Sequence, residues 1–205
     1  MTRASTRRSA TRQRLCDAAV TLIAEQGFTS TTVEQIAERA GVAKGTLYYN
    51  FGGKTDLFEE VLRQGMASLT TALEDAAAGA FASGGGAADA LDAMAGAGLV
   101  FTTAHADFAR LLVAEQWRPN RSWHPALAEL RGGVAHVVED VLRRGVKSGE
   151  LTASLDVELT AGVLLTMVVV GALDWQTYHA ARPPEEVRAA FSRILRGRLA
   201  GDGRH

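Results

Sequence analysis

Between residues 31 and 58 the sequence gathers side chains suited to holding a nucleic acid. Lys44, Gly45 and Thr46, then Tyr48, Tyr49 and Asn50, surround Leu47, and Lys54 follows a glycine pair. Lysine and tyrosine can bind phosphate oxygens, while threonine and asparagine can reach base edges in a groove. Catalytic chemistry has no comparable cluster. His105, His124, His136, His179 and His205 are scattered without metal-ligand spacing, and His136 with Glu139 and Asp140 reads as a solvated helix face. There is no glycine-rich phosphate loop and no nucleophile elbow. Cys16 is alone, so a disulfide framework or cysteine-based zinc site is excluded. The expectation is a binding protein, not an enzyme, with no cofactor and no metal.

The groups at 44–54 need a short, firmly docked helix. Thr32 before Val33, with Gln35 three residues on, predicts a capping box opening one short helix. Val33, Ile36, Ala37 and Ala40 form its inward stripe, and Gly41 can leave it sharply. A second short helix covers about Lys44 to Phe51, docked through Val42, Leu47 and Phe51. Two short helices around a tight turn make a helix-turn-helix, whose second helix fits the major groove. Leu15, Ala18, Ala19, Leu22 and Ile23 predict a supporting helix ended by Gly27. A long helix follows from about Thr55 with Leu57, Phe58, Val61, Leu62, Met66, Leu69 and Leu73 inward. The first proline is Pro119. Beyond a Gly84-Gly85-Gly86 loop, helices are expected near 88–103, 105–116, 125–147, 156–179 and 184–199. The fold class is all-α.

The run from Thr31 to Phe58, with its flanks from about Arg12 to Leu62, resembles the signature of the tetracycline-repressor (TetR) family of transcription regulators. The resemblance implies that Thr32 caps the first motif helix and donates to a phosphate. It implies that Lys44, Gly45 and Thr46 open the recognition helix toward base edges, and that Tyr48 contacts backbone phosphate. Tyr49 and Asn50 then lie where bases or thymine methyls are met, and Lys54 pairs with phosphate. Three residues depart from the pattern. Ala43 stands where Ser or Thr usually caps the recognition helix, a loss of about 1 kcal/mol. Asn50 replaces a frequent histidine, and Gly52-Gly53 loosens the turn before Lys54.

The resemblance divides the chain into an arm and DNA-binding domain, 1–54, and a ligand-sensing, dimerising domain, 55–205. It implies a repressor released from a palindromic operator by a small hydrophobic effector. Candidate lining residues are Met66, Phe101, His105, Phe108, Trp117, Trp123 and Met167. The last two helices carry Leu159, Val163, Met167, Val170 and Gly171, then Val187, Phe191, Ile194 and Leu195. These are the expected homodimer face, setting two recognition helices about 34–36 Å apart. Gly65 inside the long helix reads either as a tilt point or as a close packing contact.

Net charge is −1, so bulk charge names no partner. The first sixteen residues are sharper: Arg3, Arg7, Arg8, Arg12 and Arg14 without an acid. They read as a solvated tail or as a basic arm along phosphate or in a minor groove. The longest apolar run, Ala161 to Leu173, is interrupted by Gly162, Thr166 and Gly171 and falls far short of the ~20 residues a spanning helix needs. The expected compartment is the cytoplasm, with no membrane partner.

Overall fold

The computed structural model describes residues 3–199, with side chains for 8–197. Among the described residues the elements, in order, are α1 (Arg3–Gln26), α2 (Val33–Arg39), α3 (Lys44–Phe51), α4 (Lys54–Ala82), α5 (Ala87–Ala104), α6 (Ala106–Glu115), α7 (His124–Ser148), α8 (Val157–Tyr178) and α9 (Pro184–Leu199). The chain is all-α, as its apolar spacing predicts.

The helices belong to two compact units. The first holds the described residues through Gly65 together with Asp107–Leu130; the second holds Met66–Ala106 with the described residues from Arg131. In the first unit, Leu15, Ile36, Leu47, Leu57, Phe58 and Leu62 are fully buried. The expected apolar stripes of α1 to α3 and the first part of that of α4 thus make its core, while Met66, Leu69 and Leu73 fall in the second unit. The unit extends past residue 54 for a visible reason. The buried Trp123 ring lies 3.9 Å from Phe28 and 5.0 Å from Phe58, centroid to centroid, tying the start of α7 to the α1–α2 loop.

Gly65 proves to be a close contact. A Cβ at this position would run into the edge of the Phe108 ring, so α4 and α6 cross where only hydrogen fits. The wish of a helix for Ala over Gly is worth about 1 kcal/mol, and here packing overrides it.

In the second unit, α5 packs on α8 and α9 around Ala95, Leu99, Val168, Ala172, Phe191 and Leu195. Ion pairs Asp92–Arg188 and Asp89–Arg196 line the α5–α9 seam. Helix α5 starts after Gly86, which has no side chain to cap it, and of the backbone donors there its own Asp89 accepts only from the Gly86 N–H, at 3.2 Å. Glu150 takes the next two donors: its carboxylate accepts from the backbone N–H of Ala87 at 2.5 Å and Ala88 at 2.8 Å. These are two of the four donors every helix start leaves open.

Helix α8 corrects the membrane estimate. Treating Gly162, Thr166 and Gly171 as interruptions missed that the whole 22-residue helix is long and apolar enough to cross a membrane by length and composition. Only 17% of its most apolar stretch is buried within the chain.

Candidate nucleic-acid interface

The motif is assembled as its residue types require. Thr32 accepts from Gln35 N–H at 3.2 Å, and the Gln35 side chain accepts from Thr32 N–H at 2.8 Å, closing the capping box that starts α2. Gly41 takes φ +65°, the left-handed turn that a side chain would resist. Leu47 and Phe51 bury one face of α3. Ala43 makes no side-chain cap, as expected, yet α3 is fully formed from Lys44 to Phe51.

With Leu47 and Phe51 inward, the opposite face is open. Nothing lies within 4 Å of a Cβ built on Gly45. Tyr48 is half exposed and Tyr49 is 73% exposed, a large apolar ring held in water. Thr46 is half-buried and Thr32 exposed. Lys44 pairs with Glu34 of α2, which lifts the ammonium above its ordinary pKa and holds the Glu34 carboxyl below the usual range. Both side chains are exposed, so a phosphate can exchange for this partner at little cost.

Two expected contact residues are turned inward. The Asn50 side chain donates to Thr46 O at 2.7 Å, back along its own helix. The Lys54 ammonium donates to Phe28 O at 2.8 Å and Thr31 O at 2.7 Å, and lies 4.2 Å from the Phe28 ring centroid. Partial burial, then the nearby Arg121 charge, pushes the Lys54 pKa down.

Arginines from α1 hold the far end of α3. Arg8 lies over the Tyr49 ring at 5.4 Å. Arg12 donates to Asn50 O at 2.5 Å and stacks 4.2 Å from the Phe51 centroid. The basic segment is therefore helical from Arg3 on; the side chains of Arg3 and Arg7 lie outside the described residues. Arg12 was visible in the sequence only as one charge in a basic arm. Its clamp depends on a 38-residue contact that spacing cannot reveal.

The family model for bacterial regulatory proteins of the tetR family matches residues 15–61. The chain is 31% identical over 159 residues to the transcriptional repressor KstR2 of Rhodococcus jostii, covering 74% of this chain and 73% of that protein. The chain belongs to the TetR family. It is a DNA-binding transcription regulator, and α2 and α3 are its helix-turn-helix. It is also 29% identical over 160 residues to the regulator SrpR of Pseudomonas putida, across 77% of this chain and 71% of that one. Among solved structures it resembles the TetR regulator PfmR of Thermus thermophilus, with TM-score 0.73 and 26% identity over 93% of this chain and 98% of that one. It shares its fold with FadR of Bacillus subtilis, solved in complex with stearoyl-CoA, with TM-score 0.78 and 22% identity over 94% and 99% of the two chains.

Away from the TetR head, the expected lining residues disperse. Phe108, Trp117 and Trp123 belong to the first unit, whereas Met66, Phe101, His105 and Met167 belong to the second. Trp123 is buried with Phe28 and Phe58, Phe108 lies under Gly65, and Trp117 is 71% exposed. Phe101 and His105 stack on each other at 4.7 Å. Met66 is core. Met167 alone of the seven lines the apolar cavity of the second unit, about 40 Å³, whose walls include Leu69, Leu73, Leu91, Met94 and Leu164. Those wall leucines have ordinary core spacing, so nothing in the sequence separates a cavity wall from filled core.

The expected dimer residues divide as well. Phe191 and Leu195 are buried within the chain and Val187 packs against them, with Gly171 under the Phe191 ring. Leu159, Val163, Val170 and Ile194 are exposed. Leu159 and Val163 line an open groove with Met167, Thr166, Arg131 and Glu158.

Proposed function

We propose that this TetR-family regulator is a cytoplasmic repressor, without catalytic activity, that binds a palindromic operator as a homodimer and leaves it when a hydrophobic effector binds. The observation that carries the effector class is the cavity between α4, α5, α7, α8 and α9, whose named walls are all Leu, Met, Val, Ala or Gly. Such walls offer dispersion and burial but no anchor for a polar group, which favours a saturated chain or ring system. At about 40 Å³ the cavity is well below the ~150 Å³ void that takes up benzene. An effector enters by parting the walls, and α4 is one of them. The same helix begins at Lys54, directly after the recognition helix, so displacement of its second half is a direct route to the head. The stearoyl-CoA complex of FadR supports a long acyl thioester as the first compound to try.

Dimerisation is supported by α8. An apolar helix left mostly unburied, with Leu159, Val163 and Val170 exposed, is the kind of exposed apolar surface that marks an association site. In the homodimer those side chains are covered, and two α3 helices face half-sites one helical turn apart.

The test is retention of genomic fragments, including the chain's own upstream region, at near-physiological salt against random competitor. Selective retention of an inverted repeat, reversed by long-chain acyl-CoA, is the expected result. Retention that acyl-CoA and other apolar ligands leave unchanged defeats the effector reading. Absence of any selective fragment defeats the operator reading.

A further inference from the structure

Two cations of the first unit lie over adjoining rings of one aromatic cluster. The Lys54 ammonium is 4.2 Å from the Phe28 centroid and the Arg121 guanidinium 5.5 Å from that of Trp123, and these rings are 3.9 Å apart. Lys54 is held by two backbone carbonyls. Arg121 donates to Thr29 Oγ1 at 3.0 Å, in the loop leading to α2. Among the described residues no carboxylate comes within 4.0 Å of either cation. Most other cations of this unit do find one: Arg12, Arg39, Lys44, Arg63, Arg110 and Arg118 each have an acidic partner. Both lone cations are half-buried, so the repulsion between them is less screened than it would be in open water. An anion brought between them removes that repulsion.

The location identifies the anion. Thr29 is three residues before Thr32, the exposed cap of α2, and three residues span at most about 10 Å. Along one strand of duplex DNA the charges rise by about 3.4 Å of axis each, so if Thr32 meets a phosphate, as the family resemblance implies, a neighbouring phosphate falls near Thr29 and Arg121. We propose that Arg121, carried by the α6–α7 loop and seated on the helix-turn-helix through Trp123, is a DNA-backbone contact outside the motif and forms with Lys54 a site for a flanking phosphate. The loop thereby widens the footprint of the head without reading bases. The inference rests on duplex binding by this chain.

The experiment measures binding of the full chain to a random-sequence fluorescent duplex across a salt series. Variants are Arg121→Gln, Arg121→Lys and Thr29→Ala. Arg121→Gln is expected to lower the magnitude of the log–log salt slope by about 0.9, the value of one phosphate contact. Arg121→Lys should retain the wild-type slope, and Thr29→Ala, which removes only the tether, should leave it unchanged. A wild-type slope in Arg121→Gln overturns the proposal, whatever its melting temperature. A reduced slope in Thr29→Ala equal to that of Arg121→Gln also overturns it, by making the loss one of structure. If wild-type protein binds no duplex even at low salt, the DNA-binding reading falls first and this site with it.

Discussion

The guanidinium of Arg12 donates a 2.5 Å hydrogen bond to the main-chain oxygen of Asn50, joining α1 to the last turn of the recognition helix. The same group stacks on Phe51 and lies 3.5 Å from Glu60 of α4. A cation at a helix C-terminus is favoured by the exposed carbonyls. Because α3 lacks a capping side chain at its start, its far end carries more of the burden of fixing its angle. Arg12→Ala is expected to lower operator affinity about tenfold, near the lower range of a charged hydrogen bond, at an unchanged salt slope. Arg12→Lys should recover part of the loss, since lysine keeps the charge but not the fork. Equal losses on operator and random DNA, with a shallower slope, would make Arg12 a phosphate contact instead.

Glu150 closes the start of α5 from 62 and 63 residues away. Removing the carboxylate leaves two N–H groups of α5 without partners, at about 1–3 kcal/mol. In a chain of this size each kcal/mol moves the melting point by about 2–4 °C. Glu150→Ala should therefore melt several degrees lower by calorimetry, while Glu150→Gln, still an acceptor, should recover part of the loss. An unchanged melting point would show the cap to be dispensable.

Much of the head was legible from sequence because its signals are local. The Thr32–Gln35 capping box, the turn at Gly41 and the burial of Leu47 beside the exposed Tyr49 each depend on neighbours within one helical turn. The second unit was legible only as helices. Phe191 and Val163 have similar apolar spacing, yet Phe191 is core and Val163 is exposed, because the choice depends on where α5 lies. Asn50 and Lys54 show a finer limit. Their numbers place Asn50 on the recognition helix and Lys54 just past it, but carbonyl acceptors at Thr46, Phe28 and Thr31 turn their side chains inward. Local hydrogen bonding of this kind competes with an outward pose and leaves no periodic trace.

Gly65 offers a test in which two general effects have opposite signs. Gly→Ala within a helix ordinarily stabilises by about 1 kcal/mol. Here the added methyl runs into the edge of the Phe108 ring, and overpacking costs about 1–3 kcal/mol. Gly65→Ala is expected to lower the urea midpoint. Adding Phe108→Leu should soften that loss, so the two changes should be non-additive. A raised midpoint in Gly65→Ala alone would mean that α6 yields freely.

Cys16 is buried on α1, and burial first, with the nearby Glu60 charge second, pushes its thiol up to about 12. The thiolate is the reactive form, so folded protein should be inert to thiol reagents at neutral pH and react only after denaturation. The sign of the pH effect follows. The unfolded thiol ionises near 9.0 and the folded one near 12, so this group's contribution is complete below pH 9 and is lost as pH rises from there toward 12. Rapid labelling of native protein at pH 7 would contradict the burial of Cys16.

The three tryptophans occupy three different surroundings: Trp117 is largely in water, Trp175 is half-buried with its indole N–H on Arg182 O, and Trp123 is sealed between Phe28 and Phe58. With Trp117 and Trp175 replaced by phenylalanine, the remaining fluorophore emits from the heart of the helix-turn-helix unit. Its colour then serves as a built-in gauge of head packing, blue while the aromatic triad is closed and redder as water reaches it. Effector titrations could be followed in that light without attaching a dye.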